Sequence, residues 1–280
     1  MTAPTPQARR TKPRTERRWL RFAAPAGLAV IVLAIWETAV RSGAVNPVFL
    51  PAPSSIGSRL VLELAQGPLI PHAAVTLGEA LLGTVFAIAF AVPLGYLIAS
   101  ILWVDLAVTP YVTASQAIPA VAIAPLLALW VGYGLMPIAI LCAIVAFFPM
   151  LITTVLGVRA LPREVLEAAR LDGASWWQSL LWVEAPIALG SILAGVRAGI
   201  ALSVTGAVVG EFTMGGRGLG MLLTLYRDAN DTEGLFTTLI VLAVLAVGLF
   251  TIIRVLEAVS NARRRASRAD RRRDAVAIAA

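Results

Sequence analysis

The 280-residue sequence contains six apolar stretches, each long enough to cross a lipid bilayer, which takes about 20 residues of α-helix. Stretches such as residues 187–210 and 235–253 lack the polar stripe that a surface helix of a soluble protein carries. Only 14% of the residues are charged, against about 25% in an ordinary soluble domain. These features argue against a soluble helical protein. They predict an all-α, polytopic membrane protein with six transmembrane helices.

The six predicted spans follow directly from these stretches. They cover residues 23–40, 74–102, 106–131, 135–157, 187–210 and 235–256. Residues 41–71 form a connector that contains Pro and Gly, and residues 211–234 form a Gly-rich, acidic one. A polar loop, residues 158–186, separates the fourth and fifth spans.

The third span is interrupted by Pro110, Pro119 and Pro125. Each proline removes a backbone donor, and a bilayer tolerates the freed carbonyl only where protein or a water-filled cavity meets it. We therefore predict that this span lies inside the bundle, near a pathway. A kinked packing helix with no pathway role is the alternative.

Basic residues are concentrated at the two ends of the chain. Residues 1–22 hold seven Lys or Arg and one acid, and residues 261–280 hold seven Arg and two Asp. With both termini inside, the inner segments carry 17 basic residues and the outer loops carry 4, which places the termini and the 158–186 loop in the cytoplasm. We expect basic cytoplasmic tails over 1–22 and 258–280 around a transmembrane domain, with the tails touching anionic lipid rather than nucleic acid.

The 158–186 loop has the pattern of a helix–turn–helix. Pro162 suits the first turn of a helix, and Gly173 permits a sharp turn through positive φ. Alanines at 168 and 169 let another backbone approach closely, as when a short helix docks in a groove of a partner protein. An ordered loop of this length is expected to have a function beyond joining two spans.

The order of residues in this loop resembles the signature of the permeases of binding-protein-dependent ABC importers. It reads Glu167-Ala168-Ala169-x3-Gly173-x9-Val183-Glu184-Ala185-Pro186. The chain departs from the signature at Val183 and Ala185, where it has other apolar residues. Segments 117–134, 147–149 and 195–199 are similar to the nitrate, sulfonate and taurine branch of that family. Segment 206–220 is similar to members assigned to uptake of thiamine pyrimidine precursors or riboflavin.

The resemblance covers roughly residues 50–257 and implies the type I ABC importer permease (MetI-like) fold. It implies that the loop is the coupling helix of a bacterial inner-membrane importer. The implied partners are ABC ATPase subunits, an extracytoplasmic substrate-binding protein and a second permease copy, most simply as a homodimer. The implied solute is small: a thiamine pyrimidine precursor, riboflavin, or a sulfonate, taurine or nitrate. The residues that would couple to the ATPase are Glu167, Ala168, Ala169, Leu171, Asp172, Gly173 and Pro186.

The sequence has few of the residues that ATP hydrolysis, metal binding or catalysis would require. Its only lysine is Lys12, so a P-loop, which requires a lysine on the nucleotide phosphates, is excluded from the membrane domain. We expect ATP to be hydrolysed by a separate chain and no cofactor to bind this one. A single histidine, His72, and a single cysteine, Cys142, argue against a metal site and against catalysis. Cys142 is expected to act as a small buried hydrophobe.

Five polar or proline positions at membrane depth are candidates for a pathway. They are Gln116, Pro119, Arg197, Ser203 and Glu211. Ser203 could instead bond a neighbouring backbone, as hydroxyls in membrane helices often do, and Arg197 could hold a partner helix. Glu211 could cap the glycine-rich segment after it or contact a partner. Arg197 and Glu211 are about 21 Å apart along a helix, so they cannot pair within one protomer.

Two other classes of protein compete with an ATP-driven permease. An ion-coupled secondary transporter would have no use for a docking loop. A membrane enzyme would need a cluster of His, Asp or Glu near the interface, and none is visible in the sequence.

Overall fold

The computed structural model describes residues 20–279, with side chains for residues 23–255, and every regular element in this part is helical. The helices are α1 (Leu20–Arg41), α2 (Pro53–Gln66), α3 (Leu69–Ser100), α4 (Leu102–Ser115), α5 (Ala120–Val131), α6 (Leu135–Arg159), α7 (Arg163–Leu171), α8 (Trp176–Gln178), α9 (Ala185–Met214), α10 (Leu219–Asp228) and α11 (Thr232–Ala279). A π-helical segment, Ser179–Glu184, joins α8 to α9. The all-α prediction is confirmed. Most of the predicted tail over 1–22 lies outside the described residues.

Five helical segments of the described chain are long and apolar enough to cross a membrane. They are Ala23–Arg41, Leu69–Ser100, Leu135–Arg159, Trp176–Met214 and Thr232–Val255. Helices α4 and α5 pass the same test as a pair, but a bend of 97° separates them. The predicted six spans are therefore found, and the third of them is broken.

The two predicted connectors each contain a helix that we did not predict from hydropathy. Pro53 opens α2, in keeping with the preference of proline for the first helical position. In α10, Leu219, Leu222 and Tyr226 are buried at a spacing of one helical face. Both helices are amphipathic, so their mean hydropathy stays below that of a membrane span.

The chain divides into two compact units, one ending at Arg59 and the other beginning at Leu60. In the first unit, the Glu37 carboxylate joins the end of α1 to the start of α2. It accepts hydrogen bonds from Arg41 Nε at 2.5 Å and from Ser54 Oγ at 2.7 Å on one oxygen. The Ser54 N–H donates to the other oxygen at 3.1 Å. Both oxygens of this carboxylate thus have partners within the unit.

The second unit is built around α6, which packs between α3 and α9. Cys142 of α6 is fully buried, as predicted, and glycines face it from both sides. A Cβ at Gly83 of α3 would overlap its side chain, and a Cβ at Gly206 of α9 would lie 3.0 Å from its Cα. Small residues at such contacts let membrane helices approach closely, which is how they associate without a hydrophobic driving force.

We predict that Gly83→Ala destabilises the protein by about 1–3 kcal/mol, because the added methyl overpacks the α3–α6 contact. Gly78→Ala is the matched control, since a Cβ at Gly78 on the same helix meets no atom within 4 Å. The control should be neutral, or more stable by up to about 1 kcal/mol, because Ala favours a helix over Gly. Thermal unfolding of the purified variants in detergent measures the difference. Equal stability of the two would contradict the packing described.

Candidate functional site

Apart from Pro186, the predicted coupling residues lie on α7 and the turn after it, and none of the nine residues of α7 is buried. Glu167 and Ala168 are exposed and Ala169 is half-buried. The Leu171 side chain at the end of the helix is 89% exposed. Trp177 and Trp182 beyond the turn are exposed as well. A surface with this many large apolar groups is typical of a contact site for another molecule.

A tight turn follows α7 and depends on Gly173. Its φ is +80°, in the left-handed region that residues with a side chain rarely adopt. The Gly173 N–H donates to Arg170 O at 3.1 Å, and the Ala174 N–H donates to Ala169 O at 3.0 Å. These bonds pair the last carbonyls of α7. Asp172 and Gly173 are both exposed at the tip.

The segment after the turn is continuous with the fifth span. Ser175 begins it with a capping box, in which its hydroxyl accepts from the Gln178 N–H and its own N–H donates to the Gln178 side chain. From Trp176 the helix runs through the π-helical segment into α9, where Pro186 is exposed in the first turn. The helix–turn–helix pattern predicted a second segment over 174–181 that leads to Pro186 at the start of the fifth span. The structure shows one helical body, so displacement of this part of the loop displaces α9.

The bend between α4 and α5 comprises residues 116–119. Gln116 and Pro119, both predicted pathway residues, are exposed there. Pro119 has an extended backbone, and its carbonyl accepts the first bond of α5 from Ala122. Pro110 and Pro125 lie inside helices. Only Pro119 of the three prolines therefore marks the interruption.

A row of polar side chains on α4 was missed in the sequence. Asp105, Thr109, Thr113 and Gln116 line one cavity of 210 Å³ between α4 and α6. At its end, Asp105 Oδ2 lies 2.7 Å from Arg159 Nη2 of α6, and Asp105 Oδ1 accepts from Thr109 Oγ1 at 2.7 Å. The spacing of four residues between the first three was visible within an otherwise apolar span. It is the signal that could have revealed the row.

The three predicted pathway residues on α9 have different surroundings from Gln116 and Pro119. Ser203 is fully buried and donates to Ala80 O at 2.7 Å, the neighbouring-backbone alternative stated above. The Arg197 guanidinium lies 5.7 Å from the Phe250 ring centroid of α11, a cation–π distance. Glu211 is fully buried. A pathway role for these three stays a prediction.

Glu211 holds the glycine loop between α9 and α10. One carboxylate oxygen accepts from Thr76 Oγ1 at 2.6 Å, and the other accepts from the Gly220 N–H at 2.5 Å. Thr76 in turn accepts from the Leu219 N–H at 2.8 Å. A Cβ at Gly218 would overlap the Glu211 carboxylate. The residue thus caps the glycine segment, as one of the sequence alternatives proposed.

His72, the only histidine of the sequence, takes part in the same network. Its Nδ1 accepts from the Gly218 N–H at 2.9 Å. Together with Thr76 and Glu211 it fixes a stretch of non-helical backbone against α3. Buried backbone donors must be paired in this way, because an unpaired one costs as much as a lost hydrogen bond.

Comparison with known proteins matches residues 91–266 to the model of a family described as binding-protein-dependent transport system inner membrane component. A riboflavin transport system permease protein of Chloroflexus aurantiacus is 42% identical over 252 residues, which are 89% of this chain and 94% of that protein. A formylaminopyrimidine transport permease protein of Halalkalibacterium halodurans is 30% identical, covering 81% of this chain and 90% of that protein. A putative aliphatic sulfonates transport permease protein of Bacillus subtilis is 28% identical, over 82% and 83%.

Solved structures share the fold. An inward-facing structure of the MetNI methionine ABC transporter aligns with a TM-score of 0.57 and 19% identity. The alignment covers 69% of this chain and 98% of that one. At this identity the likeness concerns the fold alone. It agrees with the helical architecture described above.

We predict that Thr76→Val destabilises the glycine loop, because the Leu219 N–H and the Glu211 carboxylate then each lose a partner, at about 1–3 kcal/mol for a buried group. Thr84→Val is the matched control, since Thr84 is also buried on α3 but its hydroxyl donates only to Ala80 O of its own helix. Limited proteolysis within residues 215–218 should be faster in Thr76→Val and unchanged in Thr84→Val. Equal cleavage of the two variants would contradict a structural role for the Thr76 hydroxyl.

Proposed function

This chain belongs to the family of inner membrane components of binding-protein-dependent transport systems and is the permease subunit of an ABC importer; we propose that two copies of it form the pathway and that a separate ATPase drives them through α7. An extracytoplasmic binding protein delivers the solute to the outer side. The secondary-transporter alternative is not favoured by the family match.

The proposed orientation has both termini in the cytoplasm. It follows from the excess of basic residues in the inner segments, since positive charge is retained on the cytoplasmic side. In this orientation α7 and the turn at Gly173 lie in the cytoplasm, where an ATPase binds. The glycine loop held by Glu211 lies on the outer side, facing the binding protein.

The observation that carries the coupling proposal is the exposure of α7. A helix with no buried residue is not kept in place by burying its own apolar surface. It nevertheless presents the apolar Leu171 and the small Ala168, and Gly173 follows in the turn. This combination supports a helix that docks in a groove of a partner, with the apolar group as its anchor. The anchored loop connects directly to the ends of α6 and α9.

The proposal of two copies rests on the broken span. Non-helical backbone at membrane depth is tolerated only where it is buried in protein or lines a water-filled cavity. Gln116 and Pro119 are exposed in the single chain. A second copy facing this bend across a shared pathway satisfies the requirement from both sides.

We propose riboflavin as the solute, or another uncharged heteroaromatic compound. The riboflavin permease relative is 42% identical to this chain, whereas the sulfonate and formylaminopyrimidine relatives are 28% and 30% identical. A thiamine pyrimidine precursor is the next candidate, and a sulfonate, taurine or nitrate follows. Of the described side chains that line the cavity beside Gln116, the cation is Arg159, and it is paired with Asp105.

The coupling proposal predicts that Gly173→Asp abolishes ATP-driven uptake while the protein still inserts in the membrane. The added carboxylate occupies the tip that must approach the ATPase. Gly43→Asp is the control, because Gly43 has a similar φ of +77° and open space around it but lies outside the loop. Uptake and co-purification of the ATPase are measured for both. Normal uptake by Gly173→Asp, or uptake driven by an ion gradient without ATP, would refute the proposal.

The substrate proposal predicts that cells making the complete transporter accumulate labelled riboflavin, and that excess unlabelled riboflavin competes while taurine does not. Riboflavin presents a large uncharged aromatic face and taurine presents a small anionic sulfonate, so competition separates the two classes. Uptake is measured with and without expression of this permease. Accumulation of labelled taurine without any accumulation of labelled riboflavin would show that the solute is a sulfonate and leave the coupling proposal intact.

A further inference from the structure

The cavity between α4 and α6 has a polar wall and an apolar wall. The polar wall is the row that begins at Asp105 in the first turn of α4 and ends at Gln116 just after this helix, about 16 Å at 1.5 Å per residue. The apolar wall is formed by Ile98, Leu151, Ile152, Val155 and Leu156. A polar row that faces a cavity across from apolar side chains is the lining expected for a solute with a ring face and a hydrogen-bonding edge.

The hydroxyls of the row keep acceptor capacity toward the cavity. Thr109 donates to the Asp105 carboxylate, and Thr113 donates to Thr109 O at 2.9 Å. Each hydroxyl donates its one hydrogen in these bonds and retains a lone pair that can accept another hydrogen bond. Gln116, exposed at the bend, adds an amide with both donors and acceptors. The row therefore suits an uncharged solute that both donates and accepts hydrogen bonds.

The Asp105–Arg159 ion pair closes one end of the row. It joins the first turn of α4 to the last residue of α6, and Arg159 also reaches Ile98 O of α3 at 3.5 Å. The Arg41–Glu37 and Arg227–Asp228 pairs, in contrast, each lie within one helix. Because both charges are used on each other, the end of the row presents no free cation to an anionic solute.

The position of Arg159 connects this pair to the loop. Arg159 ends α6, and α7 begins at Arg163 only a few residues later. The two charged side chains are 47% and 25% exposed, and ion pairs that remain in contact with water are weak enough to break and reform readily. A displacement of α7 thus reaches Arg159 directly and can separate it from Asp105.

We propose that the groove lined by Asp105, Thr109, Thr113 and Gln116 is the inner half of the solute pathway for an uncharged, hydrogen-bonding solute, and that the Asp105–Arg159 ion pair is the latch that closes its cytoplasmic end. This rests on the proposed orientation and coupling. Loop movement opens the latch, and the solute leaves along the row of hydroxyls. Asp105 and Arg159 position the helices and are not themselves required to bind the solute.

The latch is tested by thiol labelling of Thr113→Cys in inside-out vesicles from cells that make the complete transporter. The native Cys142 is fully buried, so Cys142→Ala removes the remaining background. A membrane-impermeant thiol reagent should label position 113 slowly with the latch intact and several-fold faster with Asp105→Asn or Arg159→Gln. The charge-reversed pair, Asp105→Arg with Arg159→Asp, should restore slow labelling. Equal rates in all latch variants would overturn the latch.

The solute class is tested in the same vesicles. Riboflavin should slow the labelling of Thr113→Cys in the unlatched background, and taurine should not. Thr251→Cys is the control, because Thr251 is exposed on α11 and its hydroxyl donates only to Val247 O of its own helix. Protection of position 113 by taurine alone, no protection by either compound, or no labelling at all would overturn the groove as this pathway. Labelling does not depend on ATP-driven uptake, so this result is independent of the Gly173→Asp test.

Discussion

The pairing of backbone polar groups in an apolar medium is the constraint on which this structure depends. A bilayer offers no water to an exposed N–H or C=O, so the chain crosses it as helices. Where the chain passes from α9 to α10, side chains of α3 and α9 pair the N–H groups of residues 218–220: His72 and Thr76 come from one helix and Glu211 from the other. The bend at residues 116–119 stays exposed in the single chain. The two interruptions of helical structure therefore differ: the glycine loop before α10 is held by side-chain hydrogen bonds, whereas the bend between α4 and α5 is exposed.

Close packing makes a rigid body of α3, α6 and α9, and the loop is attached to that body at both ends. The contacts at Gly83 and Gly206 leave no room between the helices and Cys142. Helix α6 ends at Arg159 just before α7, and the helix from Trp176 continues into α9. A force on α7 consequently acts on two packed helices together. In contrast, α4 contributes only one buried residue, Val104, to the core. It is therefore held less tightly than the three packed helices.

Hydropathy alone predicts the number of spans, because bilayer thickness sets a length that an apolar stretch either meets or does not. The loop and its glycine turn were likewise predictable, since only a residue without a side chain readily adopts the φ of +80° found at Gly173. The features that the sequence analysis missed depend on amphipathic segments or on contacts between distant residues. Helices α2 and α10 are amphipathic. A cap by Glu211 was one of the sequence alternatives, but its partner on α3 was not predicted, because the network joins residues far apart in sequence, such as Thr76 and Leu219. The pairing of Asp105 with Arg159 depends on which helices lie side by side. Such contacts are set by packing and leave no local pattern.

The Glu211 network and the Asp105–Arg159 ion pair differ in exposure to solvent. Exposure decides which of them can break and reform during transport. The Glu211 carboxyl group is fully buried with a hydrogen bond on each oxygen, so breaking these bonds would leave acceptors and donors unpaired inside the protein. The Asp105–Arg159 pair is partly exposed, and at the cytoplasmic end, where the proposed orientation places it, water takes over the hydrogen bonds of either partner when they part. In the proposed orientation the buried Glu211 network lies on the outer side, and the partly exposed Asp105–Arg159 pair lies on the cytoplasmic side. Within one subunit, movement driven from the loop is therefore expected to open the inner end of the groove first, while the outer glycine loop keeps its shape for the binding protein.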